Sequence, residues 1–321
     1  MAISVILLHT LPLSVLKDTF AVFHIWQAVP VFLFITFYLG FRKLEKTEDV
    51  FSGYYSFRRI KALFMKLWLP LIILAVFEAI YFFFKGDNAK AIGSLLCYGN
   101  GPGGYYIWCY MQIWLLLPVL YLFLKRRGVL IGGGILLIVS ALLDSLWERF
   151  VGVMPGFTCF RYLFLSVPAY MFMKGVNIKN ITPFVLFSIV YLALMIYSKA
   201  PVVADPLLPD GWEAQTGLAF FYTLLLFVLL TKFHGKIKNS KIRNYVSHLG
   251  VISWEVFCVQ MVLIGIGVLD ILGSKMFCSG YLRVGFKVVA ALAITLLLAE
   301  TYRWFLNVVT RSRQTENVIS E

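Results

Sequence analysis

Apolar residues in this chain come in long, nearly unbroken runs rather than in alternating or striped patterns. Runs of roughly 18–22 residues recur from end to end, long enough as helix to cross a hydrocarbon layer ~30 Å thick. A membrane β-barrel would show alternating segments of about ten residues instead. The pattern predicts an all-α polytopic membrane protein, a bundle of about ten transmembrane helices. The spans read as 1–16, 20–41, 63–84, 105–124, 129–147, 157–174, 181–199, 215–233, 246–272 and 283–308, within one transmembrane domain covering 1–321. The first run is short, since sixteen residues rise only ~24 Å. It has no Lys or Arg ahead of it and no small-residue cleavage site, so it does not read as a cleaved signal peptide. A start a few residues too late, truncating the first helix, is the expectation.

Composition agrees: 60% of residues are hydrophobic and 14% charged, with mean hydropathy +0.84, against about 25% charged in a soluble domain. The net charge is +13, and its distribution predicts topology. Of 29 Lys and Arg, nineteen fall in segments 41–66, 125–127, 174–179, 232–243 and 311–313, and six in the alternating set of connections. The positive-inside rule then places both termini of a multi-pass membrane protein in the cytoplasm. The cations are split among short loops, which excludes nucleic acid and leaves topology and contact with membrane lipids as their plain reading. The five cysteines show neither CxxC nor metal-ligand spacing, so no metal is expected. Cys109, Cys159 and Cys258 read as packing residues, while Cys97 and Cys278, in outward loops, could pair.

Three outward segments carry turn chemistry: CYGNGPGGYY (97–106), VGVMPGF (151–157), and APVVADPLLPDGWEAQ (200–215) with Asp205, Asp210 and Glu213. Irregular backbone cannot face lipid, so these segments form the external face or fold back over a cavity.

Polar residues inside the spans are functional candidates by default. They are His9, His24, Gln27, Glu78, Gln112, Asp144, Arg161, Glu255, Gln260, Glu300 and Arg303. Glu300 and Arg303 lie three apart and read as an ion pair on one helix, and Asp144 and Arg161 could pair across an external loop. His9 is the hardest to explain as structure. It lies ~12 Å along its helix from Met1, too deep for easy solvation. An imidazole with a pKa of ~6.5 suits proton transfer near neutral pH, and a buried carboxylate such as Glu78 or Glu255 could orient it. That fits an acyl-transfer enzyme and equally a proton-coupled transporter.

Several stretches together resemble the bacterial acyltransferase-3 family of integral membrane acyltransferases. AISVILLHT (2–10) resembles its first helix, ending at a histidine. AVPVFLFITFYLGF (28–41) resembles its second helix, and SFRRIKALFMKLWLP (56–70) its basic cytoplasmic stretch. GPGGYYIWCYMQIWLLLPVL (101–120) resembles the aromatic entry to its fourth helix, and VISWEVFCVQM (251–261) a late helix. The order and spacing match from residue 1 to about 270.

The resemblance implies transfer of an acetyl or other short acyl group from cytoplasmic acyl-CoA to a hydroxyl of a cell-surface glycan or its lipid-linked precursor. Acetyl-CoA or another acyl-CoA would be a co-substrate, with no permanently bound cofactor, and a carbohydrate or glycolipid would be the acceptor. The resemblance further implies His9 as the catalytic base or transient acyl carrier, and Arg58, Arg59 and Lys61 on the acyl-CoA side. Glu78 and Glu255 are candidates to orient His9. Candidates for acceptor binding are His24, Gln27, Tyr105, Tyr106, Trp108, Gln112 and Gln260, with Trp212 as a further stacking residue. The chain departs from the family at three points. An arginine separated from the histidine by ten residues would fall before Met1, Arg59-x-Lys61 stands where Arg-x-Arg is usual, and Gln260 stands where a late histidine is usual. The alternative reading is a transporter or flippase for a glycan or lipid-linked intermediate.

Overall fold

The computed structural model describes residues 2–97, 101, 103–151, 158–197, 215–268 and 280–319. Among these the chain is all-helical, with no β-strand. In chain order the helices are α1 (Ala2–Thr10), α2 (Leu13–Asp18), α3 (Ala28–Glu45), α4 (Val50–Tyr54), α5 (Phe57–Leu63), α6 (Leu69–Phe84) and α7 (Asn88–Cys97). They continue with α8 (Gly104–Val151), α9 (Ser166–Met173), α10 (Ile178–Tyr197), α11 (Phe220–Lys236), α12 (Ser240–Val251), α13 (Ser253–Ile266) and α14 (Gly280–Ile319). A π-helical turn, Phe64–Trp68, joins α5 to α6, and the 3₁₀ turn Phe160–Leu165 leads into α9.

Among the described residues, five stretches are long and apolar enough to cross a membrane: Ala21–Glu45, Val50–Phe84, Gly104–Trp147, Gly217–Lys236 and Gly280–Val308. The bent pair α12 and α13 would make a sixth. Large apolar side chains on these stretches point outward, among them Phe77 at 61%, Leu130 at 87% and Leu297 at 68% exposure. Such surfaces are sustained by lipid rather than water.

Against about ten expected spans, the described residues hold five or six that qualify, and at three places the difference has a visible local cause. The run 1–16 is divided at Leu11-Pro12 into α1 and α2, because proline lacks an N–H and disfavours helix in the residue before it. Helix α8 joins the expected 105–124 and 129–147 but is broken at Gly128, where φ is 75° and ψ 169°. An unbroken 48-residue helix would rise ~72 Å, more than twice a hydrocarbon layer. Glycine occupies this left-handed φ without a Cβ clash, and the preceding Lys125, Arg126 and Arg127 are exposed. The expected span 246–272 is bent by 61° between α12 and α13, so its first residues belong to a separate amphipathic helix, capped by the Asn239 side chain.

The chain forms two compact units. One comprises residues 13–56 and 105–238. Its core is aromatic, with Phe34, Phe37, Phe41, Tyr121, Tyr162 and Phe220 all fully buried; α3 packs on α9 and α11, and α10 on α11. At one end of this unit Glu45 accepts from Lys174 Nζ (2.6 Å) and from the Tyr121 hydroxyl. The other unit comprises residues 2–12, 57–104 and 239–321. There α1 lies against α13 and α14, and α6 packs against α7 and α13. Its apolar core joins Ile6 of α1 to Ile252, Val256, Ala291 and Ala299. The small residues of α14 let the short α1 approach closely.

Candidate functional site

The residues expected to carry donor chemistry fall in the second unit. His9 lies on α1, Arg58, Arg59 and Lys61 on α5, Glu78 on α6 and Glu255 on α13, which also carries the acceptor candidate Gln260. The His9 side chain is half-buried, and its ring makes no hydrogen bond or ion pair with any described residue, Glu78 and Glu255 included. The expectation that one of these carboxylates fixes its tautomer therefore has no contact to act through. What lies beside α1 is Gln260, 2% exposed. Its Nε2 donates to the Val5 carbonyl (3.3 Å), one turn before His9, and its buried Oε1 has no partner.

Glu78 is fully buried on the face of α6 that also buries Leu71, Ala75 and Phe82. Glu255 has a structural reason for its place. It lies in the first turn of α13, where the partial positive charge of the helix N-terminus favours a carboxylate. Its Oε2 is buried without a partner. The expected Glu300–Arg303 pair is replaced: Glu300 pairs with His248 of α12. Sequence spacing compares residues of one helix, whereas His248 arrives from the far side of the bend.

The basic helix α5 buries none of its residues, and Arg58 and Lys61 are exposed. It runs through the π-helical turn directly into α6, and such turns recur at functional sites. The glycine-rich stretch before α8 docks on α13. The Gly103 N–H points at Met261 Sδ (3.0 Å). A Cβ on Gly101 would fall within 3.0 Å of the backbone of Met261, the residue after Gln260. Met261 was not singled out from the sequence, since only this long-range contact marks it.

The acceptor candidates lie in the first unit, apart from Gln260. Gln27 is fully buried and spends its amide on structure, donating to the Val22 carbonyl and accepting from Thr223 (both 3.0 Å). His24 is exposed, with Nε2 at 2.8 Å from the Thr19 carbonyl. Tyr106 is buried in edge contact with Phe32, and Trp108 is half-buried. Gln112 and Tyr105 belong to a larger polar group. Gln112 Oε1 accepts from the Cys159 N–H (2.8 Å), and Cys109 Sγ donates to the Thr158 carbonyl (2.9 Å). Tyr105 lies within electrostatic range of Arg161.

The expected Asp144–Arg161 pair is present: Arg161 Nε donates to Asp144 Oδ2 (3.0 Å), and Nη2 lies 2.9 Å from the same oxygen. Their side chains are 3% and 4% exposed. Cys109, Cys159 and Cys258 are buried and outside any disulfide, in keeping with packing. Trp212, Asp205, Asp210, Glu213 and Cys278 lie outside the described residues, as does the side chain of Cys97. Among the described residues no group of three His, Cys, Asp or Glu side chains is placed to hold a metal. Comparison with protein-family models, with curated proteins and with solved structures finds no match in any of the three.

Proposed function

We propose that this chain is a membrane O-acyltransferase of the kind the acyltransferase-3 resemblance suggests, with about ten spans and both termini cytoplasmic. It would move an acetyl or other short acyl group from acyl-CoA to a hydroxyl of a cell-surface glycan or its lipid-linked precursor. The observation that carries this reading is the state of His9. Its imidazole is half-buried and unpartnered among the described residues, in the same compact unit as the exposed basic helix α5. A histidine with a purely structural role at such depth would be expected to spend its ring nitrogens on neighbours. One kept free can take a proton from a bound group.

In this mechanism Arg58, Arg59 and Lys61 hold the phosphates of the acyl-CoA through charge-assisted hydrogen bonds. His9 takes the proton of the acceptor hydroxyl as its oxygen attacks the thioester carbonyl. The carbon–sulfur bond breaks, and the leaving thiolate receives that proton from the imidazolium. The Gln260 amide, fixed to the first helix through Val5, holds an unpartnered oxygen beside α1 for orienting a bound hydroxyl.

Acetyl-CoA binding by the purified protein tests the donor side. The enzyme reading expects binding that weakens with salt and falls about tenfold or more when Arg58 and Arg59 are both replaced by Ala. No binding by the unaltered chain would favour the glycan transporter.

A further inference from the structure

The mechanism leaves one buried polar group unused, the cluster around Asp144 in the first unit. Ser140, Asp144 and Trp147 stand at i, i+4 and i+7 of the second half of α8, so they share one face. All three meet the segment 158–161. The Ser140 hydroxyl approaches the carbonyls of Phe160 (2.5 Å) and Arg161 (3.0 Å). Asp144 holds the Arg161 guanidinium, and the Trp147 ring meets Phe160 edge-on at 6.1 Å. From its other side the segment is held by Gln112 and Cys109.

The geometry of the ion pair is lopsided. A bidentate fork would satisfy both carboxylate oxygens, yet Nε and Nη2 both converge on Oδ2. Asp144 Oδ1 is left buried with no hydrogen-bond partner in a residue only 2% exposed. One turn along the same face, Trp147 Nε1 is also buried with no partner. The first is an acceptor and the second a donor. A hydroxyl is the neutral group able to serve both kinds of atom, donating its proton to a carboxylate oxygen and accepting from an indole N–H. A cation would be repelled by Arg161, and an anion by Asp144.

We infer that Asp144 Oδ1 and Trp147 Nε1 form a subsite for a neutral hydroxylated ligand, a sugar or polyol. The binding of a hydroxyl here does not rest on the acyltransferase reading. Arg161 is a positioning residue here, because it holds the carboxylate by Oδ2 and so turns Oδ1 toward the ligand.

The test uses the purified full chain in a detergent without a sugar headgroup, with glucose, N-acetylglucosamine and glycerol as probes. Binding is followed by saturation-transfer NMR. Trp147→Phe is the decisive variant, since it removes the N–H and keeps the ring; Asp144→Asn is second, because it also unbalances Arg161. The inference expects at least one probe to bind the unaltered protein and to bind Trp147→Phe at least tenfold more weakly. Failure of all three probes to bind the unaltered chain overturns it. So does equal binding by Trp147→Phe, or a shift in melting temperature alone, which would mark a site filled only by water. Acetyl transfer from acetyl-CoA, measured on the same preparations, separates the two claims. Tryptophan-dependent sugar binding without any transfer would sink the acyltransferase reading and leave the subsite standing.

Discussion

Replacing Asp144 by Asn should be among the most damaging single changes in the first unit. The side chains of the Asp144–Arg161 pair are only 3% and 4% exposed, and an arginine cannot shed its charge. Removing the carboxylate charge therefore leaves a desolvated guanidinium without a counter-ion, which costs about 3–5 kcal/mol in buried pairs elsewhere. At roughly 2–4 °C per kcal/mol for a body of 150–250 residues, the unfolding midpoint should fall by roughly 6–20 °C. Arg161→Gln should do comparable damage by stranding the carboxylate. The double variant Asp144→Asn/Arg161→Gln should lose much less than the sum of the two, because neither partner is then left charged alone. Thermal unfolding in detergent, followed by circular dichroism with size-exclusion recovery, reads all four proteins. A cost below about 1 kcal/mol for either single variant, the range of exposed pairs, would show that water reaches the pair. Additive losses would show that the two side chains are not coupled.

Two glycines predict opposite outcomes. Gly101→Ala drives its Cβ into the Met261 backbone, which cannot rotate away, and should cost roughly 1–3 kcal/mol as overpacking does. Gly134→Ala adds a methyl in open space on an exposed helical position and should raise stability by about 0.5–1 kcal/mol; both are read from the unfolding midpoint, and a reversed order would contradict the described packing. For the His248–Glu300 pair, with both side chains 46% exposed, His248→Ala should change stability by less than about 1 kcal/mol. A larger loss would mean that the pair anchors the α12–α13 bend.

The all-helical class and the presence of membrane-length apolar helices are legible in the sequence because lipid imposes a length rule on apolar runs, whereas the expected count of about ten spans is met by only five or six among the described residues. The break within α8 is legible too, since Lys125, Arg126 and Arg127 followed by Gly128 give both a charge cluster and a residue able to take a left-handed φ. The division of the first run is signalled by Pro12, although a run of apolar residues on both sides hides it from hydropathy. What sequence cannot supply is partnership between distant segments. His248, on the far side of the bend between α12 and α13, takes Glu300 away from Arg303. The docking of Gly101 and Gly103 on Met261 joins residues some 158 positions apart. Of the candidate site, the spacing of Ser140, Asp144 and Trp147 is visible on a helical wheel. Their common partner, the segment 158–161, becomes visible only once α8 and the 3₁₀ turn lie side by side. Likewise Glu78 and Glu255 are buried or half-buried carboxylates, as expected, but which group they face is a matter of packing angle and not of composition.

The most direct test of His9 as the base is transfer of radiolabelled acetyl from acetyl-CoA to cell-envelope glycan, in membranes holding the unaltered chain or His9→Ala. Loss of a general base typically lowers a rate by about 10²–10⁴-fold. The proposed mechanism expects label incorporated by the unaltered chain and a fall of that order in His9→Ala, with the variant still folded and still binding acetyl-CoA. Transfer by His9→Ala at the unaltered rate would contradict the mechanism outright.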